Sequence, residues 1–174
     1  MFYRYIPDMY YESVYTIDYK LLKKRNIKCI IFDLDNTIAS LKEKSPSQEL
    51  IELIKKIDYL GFKMIILSNA LKGRVKPFKE ILNIDSSYLA WKPHKKKYKK
   101  VLEMYDLKPE QVACIGDQLF TDVKGANQMG MVSILIDRLT KRDHFFTFYN
   151  RFKEMFVYRK FKSENILIRG KYYE

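Results

Sequence analysis

The stretch KCIIFDLDNT, Lys28 to Thr37, decides the fold. Its apolar run Cys29-Ile30-Ile31-Phe32 stops abruptly at two carboxylates one residue apart, Asp33 and Asp35. A short apolar run closed by charged and turn-forming residues predicts a buried parallel strand, and α/β sheets place ligands beyond the carboxyl ends of such strands. Carboxylates this close repel one another unless a cation lies between them, so the pair points to a Mg²⁺ site. Taken alone, the same pattern also describes a solvated turn after a strand.

Working outward, three more apolar runs end in reactive residues. Met64-Ile65-Ile66-Leu67 ends in Ser68-Asn69, Tyr88-Leu89-Ala90-Trp91 in Lys92-Pro93, and Val112-Ala113-Cys114-Ile115 in Gly116-Asp117, with Asp122 following. Each ending is an ordinary turn or helix cap when read singly. Together they bring a carboxylate pair, a hydroxyl, an ammonium and a second carboxylate pair to one edge of a sheet. That set can move a phosphoryl group.

The ordered set DLDNT, LSN, WKP and GDQLFTD resembles the four motifs of the haloacid dehalogenase (HAD) superfamily of phosphohydrolases. The fuller strings IIFDLDNT and CIGDQLFTDVKGAN are similar to the YqeG-like subgroup of its type IIIA phosphatases, relatives of which act on phosphatidylglycerophosphate. The resemblance runs firmly from Asn26 to Asp137 and more loosely into both flanks. It departs at Ala70, where a second Asn is expected after Ser68-Asn69, and this weakens the expected hydrogen bonding on the phosphate side.

Periodicity predicts a helix over Asp18 to Lys24, a first strand over Lys28 to Asp33, and a helix from near Pro46 to Leu60 that Gly61 stops. A second strand follows over Lys63 to Leu67, then a helix over Gly73 to Leu82 containing Pro77, and a third strand near Tyr88 to Ala90. A lysine-studded helix turns Tyr98, Val101, Leu102 and Tyr105 inward; the fourth strand is Val112 to Ile115. A helix over Thr121 to Met129 stops at Gly130, and the fifth strand is Met131 to Ile136. Alternation at these spacings gives an α/β fold, a Rossmann-like doubly wound parallel sheet flanked by helices. The resemblance implies five strands in the order 5-4-1-2-3, which sets the first and fourth strands about 4.8 Å apart, close enough for Asp33, Asp35 and Asp117 to converge. The intervals from Thr37 to Ser68 and from Ser68 to Lys92 are too short for a folded insertion, so no cap domain is expected and the site stands open.

The 174 residues are read as one domain, with an aromatic segment over 1–25 and a basic-aromatic helical tail over 140–174. Cys29 and Cys114 lie inside strand runs and read as buried hydrophobes rather than a disulfide, as in a reducing compartment. Neither a signal peptide nor a transmembrane span is evident, which leads to a cytoplasmic location, peripheral at the inner membrane surface if the substrate is a lipid. The net charge of +12 draws anionic substrates or surfaces, or simply solvates the chain, and Lys95, Lys96, Lys97, Lys99 and Lys100 form a ridge beside Lys92 with the same two readings. His94 and His144 read as surface residues. In the tail, Phe145, Phe148, Tyr149, Phe152 and Phe156 recur at helical spacing among Arg142, Arg151, Lys153, Arg159 and Lys160. Such a helix lies on an anionic membrane or packs its stripe on the sheet or a partner subunit.

On the resemblance, Asp33 is the nucleophile forming an aspartyl-phosphate, and Asp35 the general acid and then base. Mg²⁺ is expected on the Asp33 carboxylate, the Asp35 backbone carbonyl and Asp117. Ser68, Asn69 and Thr37 are assigned to the phosphate side, with Thr37 also fixing the loop, and Lys92 neutralises developing charge. Asp122 supports by orienting Lys92 or a metal-bound water. The activity implied is Mg²⁺-dependent phosphomonoester hydrolysis, with phosphatidylglycerophosphate the leading substrate. The alternatives are a phosphatase for nucleotides, sugar phosphates or nucleic-acid ends, and a regulatory binding protein without turnover. Nucleic acid is not expected as a partner, and oligomeric state stays open.

Overall fold

Every side chain of Cys29–Phe32 (β2) is buried, because helices cover both faces of the strand. Cys29 and Ile31 pack with Tyr98, Val101 and Ala126; Ile30 and Phe32 pack on the opposite face with Leu50, Ile54, Ile57 and Phe78. This is the alternation expected of a central strand, and it makes the apolar run continuous in the sequence.

The computed structural model describes residues 2–141 and 145–174. The readings made of Arg142, Asp143 and His144, and of the side chains of Phe145 and Phe148, lie outside the described residues. In chain order the elements are β1 (Met9–Tyr11), α1 (Tyr19–Lys24), β2, α2 (Gln48–Tyr59), β3 (Lys63–Leu67), α3 (Lys72–Leu82) and β4 (Asp85–Ser87). They continue with α4 (Lys95–Tyr105), β5 (Val112–Gly116), α5 (Lys124–Met129), β6 (Val132–Ile136) and α6 (Phe145–Ser163). Ser47 caps α2 by accepting from the Leu50 N–H at 3.2 Å, and Asp18 caps α1 by accepting from Leu21 at 3.0 Å.

All pairings between these strands are parallel, in the order β1-β6-β5-β2-β3-β4. The expected five-strand order is contained intact, but the sheet has a sixth strand. That strand comes from the segment read as irregular: Met9-Tyr10-Tyr11 pairs with Ile134-Leu135-Ile136. It is three residues long, too short for a periodic signal, and its place is fixed by tertiary bonds. Asp8 accepts from the Ser133 N–H at 2.7 Å and from its hydroxyl at 2.8 Å, and Tyr10 exchanges backbone bonds with Tyr173 near the C-terminus.

The third expected strand is also displaced, from Tyr88–Ala90 to Asp85–Ser87. Leu89 and Trp91 adopt left-handed backbone (φ 46° and 55°), which no extended strand permits, while a polar Asp-Ser-Ser run suits a sheet edge. Between β5 and α5 the chain makes a π-turn over Leu119–Val123 where a regular helix was expected from Thr121. Only turns, α2 and β3 lie between Thr37 and Ser68, and no cap domain is found among the described residues. Cys29 and Cys114 are free and buried, as the strand runs implied. No helix among the described residues is long and apolar enough to cross a membrane.

Candidate active site

The ends of β2 and β5 deliver the carboxylates to one edge of the sheet, and Lys92 meets them there from the loop after β4. Asp33 follows β2 directly, and its N–H donates to the Ile115 carbonyl at 2.9 Å, which ties the loop to β5. Lys92, which precedes Pro93 across a cis peptide bond, reaches in with its ammonium and donates to Asp33 Oδ1 at 2.5 Å and to Asp122 Oδ1 at 2.6 Å. Asp33, Lys92, Asp117 and Asp122 are all buried. Burial alone would drive the ammonium toward neutrality; Asp122 and then Asp33 outweigh it, and the Lys92 pKa is raised instead.

Asp122 reaches Lys92 from the π-turn, a conformation concentrated at functional sites. Its close approach depends on Gly116, where an added Cβ would lie 2.2 Å from Asp122 Cγ. Asp122 also accepts from the Gln118 N–H at 3.2 Å. Burial pushes the Asp122 carboxyl up, and Lys92 offsets part of that. Burial raises Asp117 to about 8, Arg151 opposes the shift, and the neighbouring Asp33 and Asp122 charges add to it.

Thr37 Oγ1 stands 3.2 Å from Asp33 Oδ2 and 3.3 Å from Asp117 Oδ1, and its one hydrogen serves one of them at a time. The hydroxyl thus bridges two site carboxylates. Ser68 is buried with Oγ accepting from the Ala70 N–H at 3.1 Å, so Ala70 takes part through its backbone despite lacking the expected amide. Asn69 is exposed; its Oδ1 accepts from the Lys92 backbone N–H at 2.7 Å and so fixes the Lys92 loop.

Asp35 lies apart from the other carboxylates. Its Oδ1 is 2.9 Å from both Nε and Nη2 of Arg74. The same guanidinium donates to the Ser40 carbonyl at 3.0 Å and to the Glu43 carbonyl, so Arg74 locks the post-nucleophile loop onto α3. A lone Arg in a helix amid many basic residues gave no signal of this role. Arg151 was noted only as one of the basic residues of the tail; here it donates to the Asp117 carboxylate and backbone carbonyl. Glu154, one turn on, is buried, pairs with Arg151 at 2.9 Å and accepts from the Leu119 N–H at 2.6 Å. Helix α6 therefore grips the Asp117 loop through Arg151 and Glu154, and buries Val157 and Phe161 against Tyr10, Leu119 and Leu135. Tyr149, Phe152 and Phe156 of the expected stripe stay exposed.

One carboxylate oxygen from each of Asp33, Asp117 and Asp122 falls within 4.8 Å of the others. Three buried hard-oxygen donors clustered this tightly fit a divalent cation such as Mg²⁺, with Lys92 and Arg151 as the cations already in contact with them. Asp122 lies within this acidic set while also holding Lys92, and the Asp35 carboxylate is directed to Arg74.

Residues 3–140 match the mitochondrial PGP phosphatase family. The chain is 38% identical over 147 residues to the probable phosphatase YqeG of Bacillus subtilis (strain 168), covering 84% of this chain and 86% of the relative. Over 43 residues, 25% of this chain and 18% of the relative, it is 42% identical to a glyceraldehyde 3-phosphate phosphatase of Pyrococcus furiosus. Among solved structures, the fold matches a D,D-heptose 1.7-bisphosphate phosphatase from B. bronchiseptica complexed with magnesium and phosphate (TM-score 0.52, 18% identity, 63% of this chain and 80% of that one). It matches an uncharacterized protein from Listeria monocytogenes serotype 4b equally well (TM-score 0.52, 16% identity, 67% and 85%). The chain belongs to the mitochondrial PGP phosphatase family and is a YqeG-like phosphatase.

Proposed function

We propose that this phosphatase is a Mg²⁺-dependent phosphomonoester hydrolase that works through an aspartyl-phosphate on Asp33, and that its substrate is a lipid phosphate of the phosphatidylglycerophosphate type. The observation that carries the reading is the buried Asp33–Lys92 pair at 2.5 Å, with a second carboxylate, Asp35, two residues on and held outside the acidic cluster by Arg74. Asp33 attacks phosphorus, the bond to the leaving alkoxide breaks, and Asp35 supplies the proton. Asp35 then takes a proton from the attacking water, which releases phosphate and regenerates Asp33. Arg74 orients Asp35 for both transfers.

Two of the three ammonium hydrogens of Lys92 go to Asp33 and Asp122, leaving the third for a phosphoryl oxygen. The Ser68 hydroxyl hydrogen and the Asn69 backbone N–H serve the other oxygens, and Thr37 holds Asp33 and Asp117 in register. Asp33, Asp117 and the Asp35 backbone carbonyl would hold Mg²⁺, which when bound draws charge from the phosphoryl oxygens and relieves repulsion among the carboxylates. Asp122 keeps Lys92 in place.

The lipid reading is supported by the family match, the capless site, and the exposed aromatic and basic face of α6, which suits peripheral contact with an anionic membrane from the cytoplasmic side. The test is phosphate release from phosphatidylglycerophosphate in mixed micelles, an aryl phosphate, a nucleotide and a sugar phosphate, each with Mg²⁺ and with EDTA. Turnover should be greatest on the lipid, vanish with EDTA, and drop by about 10³-fold or more in Asp33→Asn. Preference for the nucleotide or sugar phosphate overturns the lipid assignment; full activity of Asp33→Asn overturns the mechanism.

A further inference from the structure

Asn36 stands between Asp35 and Thr37, buried and in left-handed backbone at φ 64°. Asn is among the few side chains that tolerate this region, so the residue suits the turn. Both peptide planes that flank it are held. The Asn36 N–H donates to the Ala39 carbonyl at 2.8 Å, and because a peptide unit is planar the Asp35 carbonyl points the opposite way. The Asn36 carbonyl accepts from the Leu139 N–H at 3.1 Å. Its side-chain Oδ1 accepts twice from Thr140, from the N–H at 3.2 Å and from the hydroxyl at 2.8 Å.

Leu139 and Thr140 belong to the loop after β6, and that loop is itself fixed. At its start the Asp137 carboxylate accepts from the Tyr10 hydroxyl at 2.5 Å and from the Tyr172 hydroxyl at 2.6 Å. The Asp137 N–H donates to the Glu12 carbonyl at 3.2 Å. β1 and the C-terminal residues thus steady a loop that in turn steadies the nucleophile loop. Asp35 is in consequence fastened at both ends, its carboxylate by Arg74 at 2.9 Å and its backbone through the Asn36 turn. A general acid must meet the leaving oxygen within hydrogen-bond reach, and a displacement of about 1 Å can cost about 10²-fold. An anchor at the carboxylate alone leaves the backbone free to swing; the second anchor settles the direction of approach.

We propose that Thr140 is a positioning residue for the general acid: through Asn36 it fixes the backbone from which Asp35 reaches the leaving oxygen. The inference rests on the phosphatase reading, in which Asp35 supplies that proton, and it gives the loop after β6 a share in the chemistry.

The experiment uses the full chain with Mg²⁺ and compares kcat/KM, which reports the step that forms the aspartyl-phosphate, for two esters. Glycerol phosphate has a leaving alkoxide that needs a proton; nitrophenyl phosphate has a leaving phenolate that does not. Thr140→Val should lower kcat/KM for glycerol phosphate about tenfold and leave that for nitrophenyl phosphate within about twofold. Thr140→Ser keeps the hydroxyl and should return glycerol phosphate to within about threefold of wild type. Asn36→Gly permits the same backbone without Oδ1 and should reproduce the selectivity of Thr140→Val, which decides the matter if Val at 140 impairs folding. In an Asp35→Asn background Thr140→Val should add nothing, since the group it positions is gone. The melting temperature of Thr140→Val should stay within about 4 °C of wild type. An equal fall on both esters, no fall on either, failure of Ser to restore the rate, or a full additional loss in the Asp35→Asn background overturns the proposal. Asp35→Asn that keeps the wild-type ratio of the two esters removes the acid itself, and the positioning role falls with the phosphatase mechanism. A selective loss in Asp35→Asn beside an unaltered Thr140→Val sinks the positioning role alone.

Discussion

Arg151, in the last helix, forms an ion pair with Asp117 at the end of β5, and the Asp117 side chain it covers is wholly inaccessible to solvent. The contact fastens α6 to the acidic cluster and supplies Asp117 with its counter-charge. Removing one partner of a buried pair costs about 3–5 kcal/mol, because the other charge is left without compensation. Arg151→Met should therefore lower the melting temperature of the metal-free protein sharply above pH 8, where Asp117 is ionised, and less at pH 6, where it holds a proton. Adding Mg²⁺ should restore part of the loss, and Arg151→Met/Asp117→Asn should be more stable than Arg151→Met alone. Thermal denaturation of the three proteins with and without Mg²⁺ checks this; an unaltered Arg151→Met would show that the pair contributes nothing.

Gly116→Ala tests how tightly the acidic cluster is built. The new Cβ would fall 2.2 Å from Asp122 Cγ, and Asp122 has no slack because Lys92 holds its other side. Overpacking of this kind costs about 1–3 kcal/mol. The variant should fold with reduced stability and lose activity more than stability, since displacing Asp122 also releases Lys92. Equal kcat in variant and wild type would contradict the assigned role of Asp122.

Burial, opposed by Arg151, raises Asp117 to about 8 from the ordinary 3.8, and Asp122 is also raised. The folded metal-free protein then holds a proton on Asp117 over a range where the unfolded chain has lost it. Stability contributed by that proton is full at low pH and is lost as pH rises through about 8, so the metal-free protein should melt higher at pH 6 than at pH 8.5. A cation binding at neutral pH must displace the proton. Mg²⁺ titrations in buffers of different ionisation enthalpy should show proton release, reduced in Asp117→Asn. Metal binding with no buffer dependence at pH 7 would exclude a raised Asp117.

Helix α6 separates into two faces with different expected responses. Phe152 and Phe156, about half exposed at 52% and 51%, pack edge to face on each other, so Phe152→Ser/Phe156→Ser should change stability by less than about 1 kcal/mol. Phe161 is fully buried, and Phe161→Ala should cost about 3–5 kcal/mol. If the exposed pair meets a membrane, the double serine variant should lose binding to anionic vesicles at low salt while keeping aryl-phosphate turnover. Vesicle co-sedimentation beside denaturant unfolding separates the two faces, and undiminished sedimentation of the double serine variant would exclude this face from membrane contact.

The sequence by itself determined the central sheet and which residues meet at its edge. Runs such as Cys29–Phe32 and Val112–Ile115 are apolar throughout because both their faces are covered, and a strand can end in Asp33 or Asp117 only where the sheet edge opens toward solvent or ligand. Asp33, Ser68 and Asp117 were legible in this way, whereas Lys92 and Asp122 reach the same edge from the loop after β4 and from the π-turn. Tertiary structure alone decided the rest. β1 holds its place through the bonds of Asp8 to Ser133 and of Tyr10 to Tyr173, each spanning more than a hundred residues, and three residues carry no period of their own. β4 is a polar edge, with nothing apolar to mark it. Arg74 and Arg151 look like any other basic helix residues among the 33 lysines and arginines of the chain. What distinguishes them is that packing of α3 and α6 brings a guanidinium to a carboxylate it could not otherwise reach. Local sequence encodes which faces are buried; which cation neutralises which buried acid depends on distances that exist only after the chain has closed.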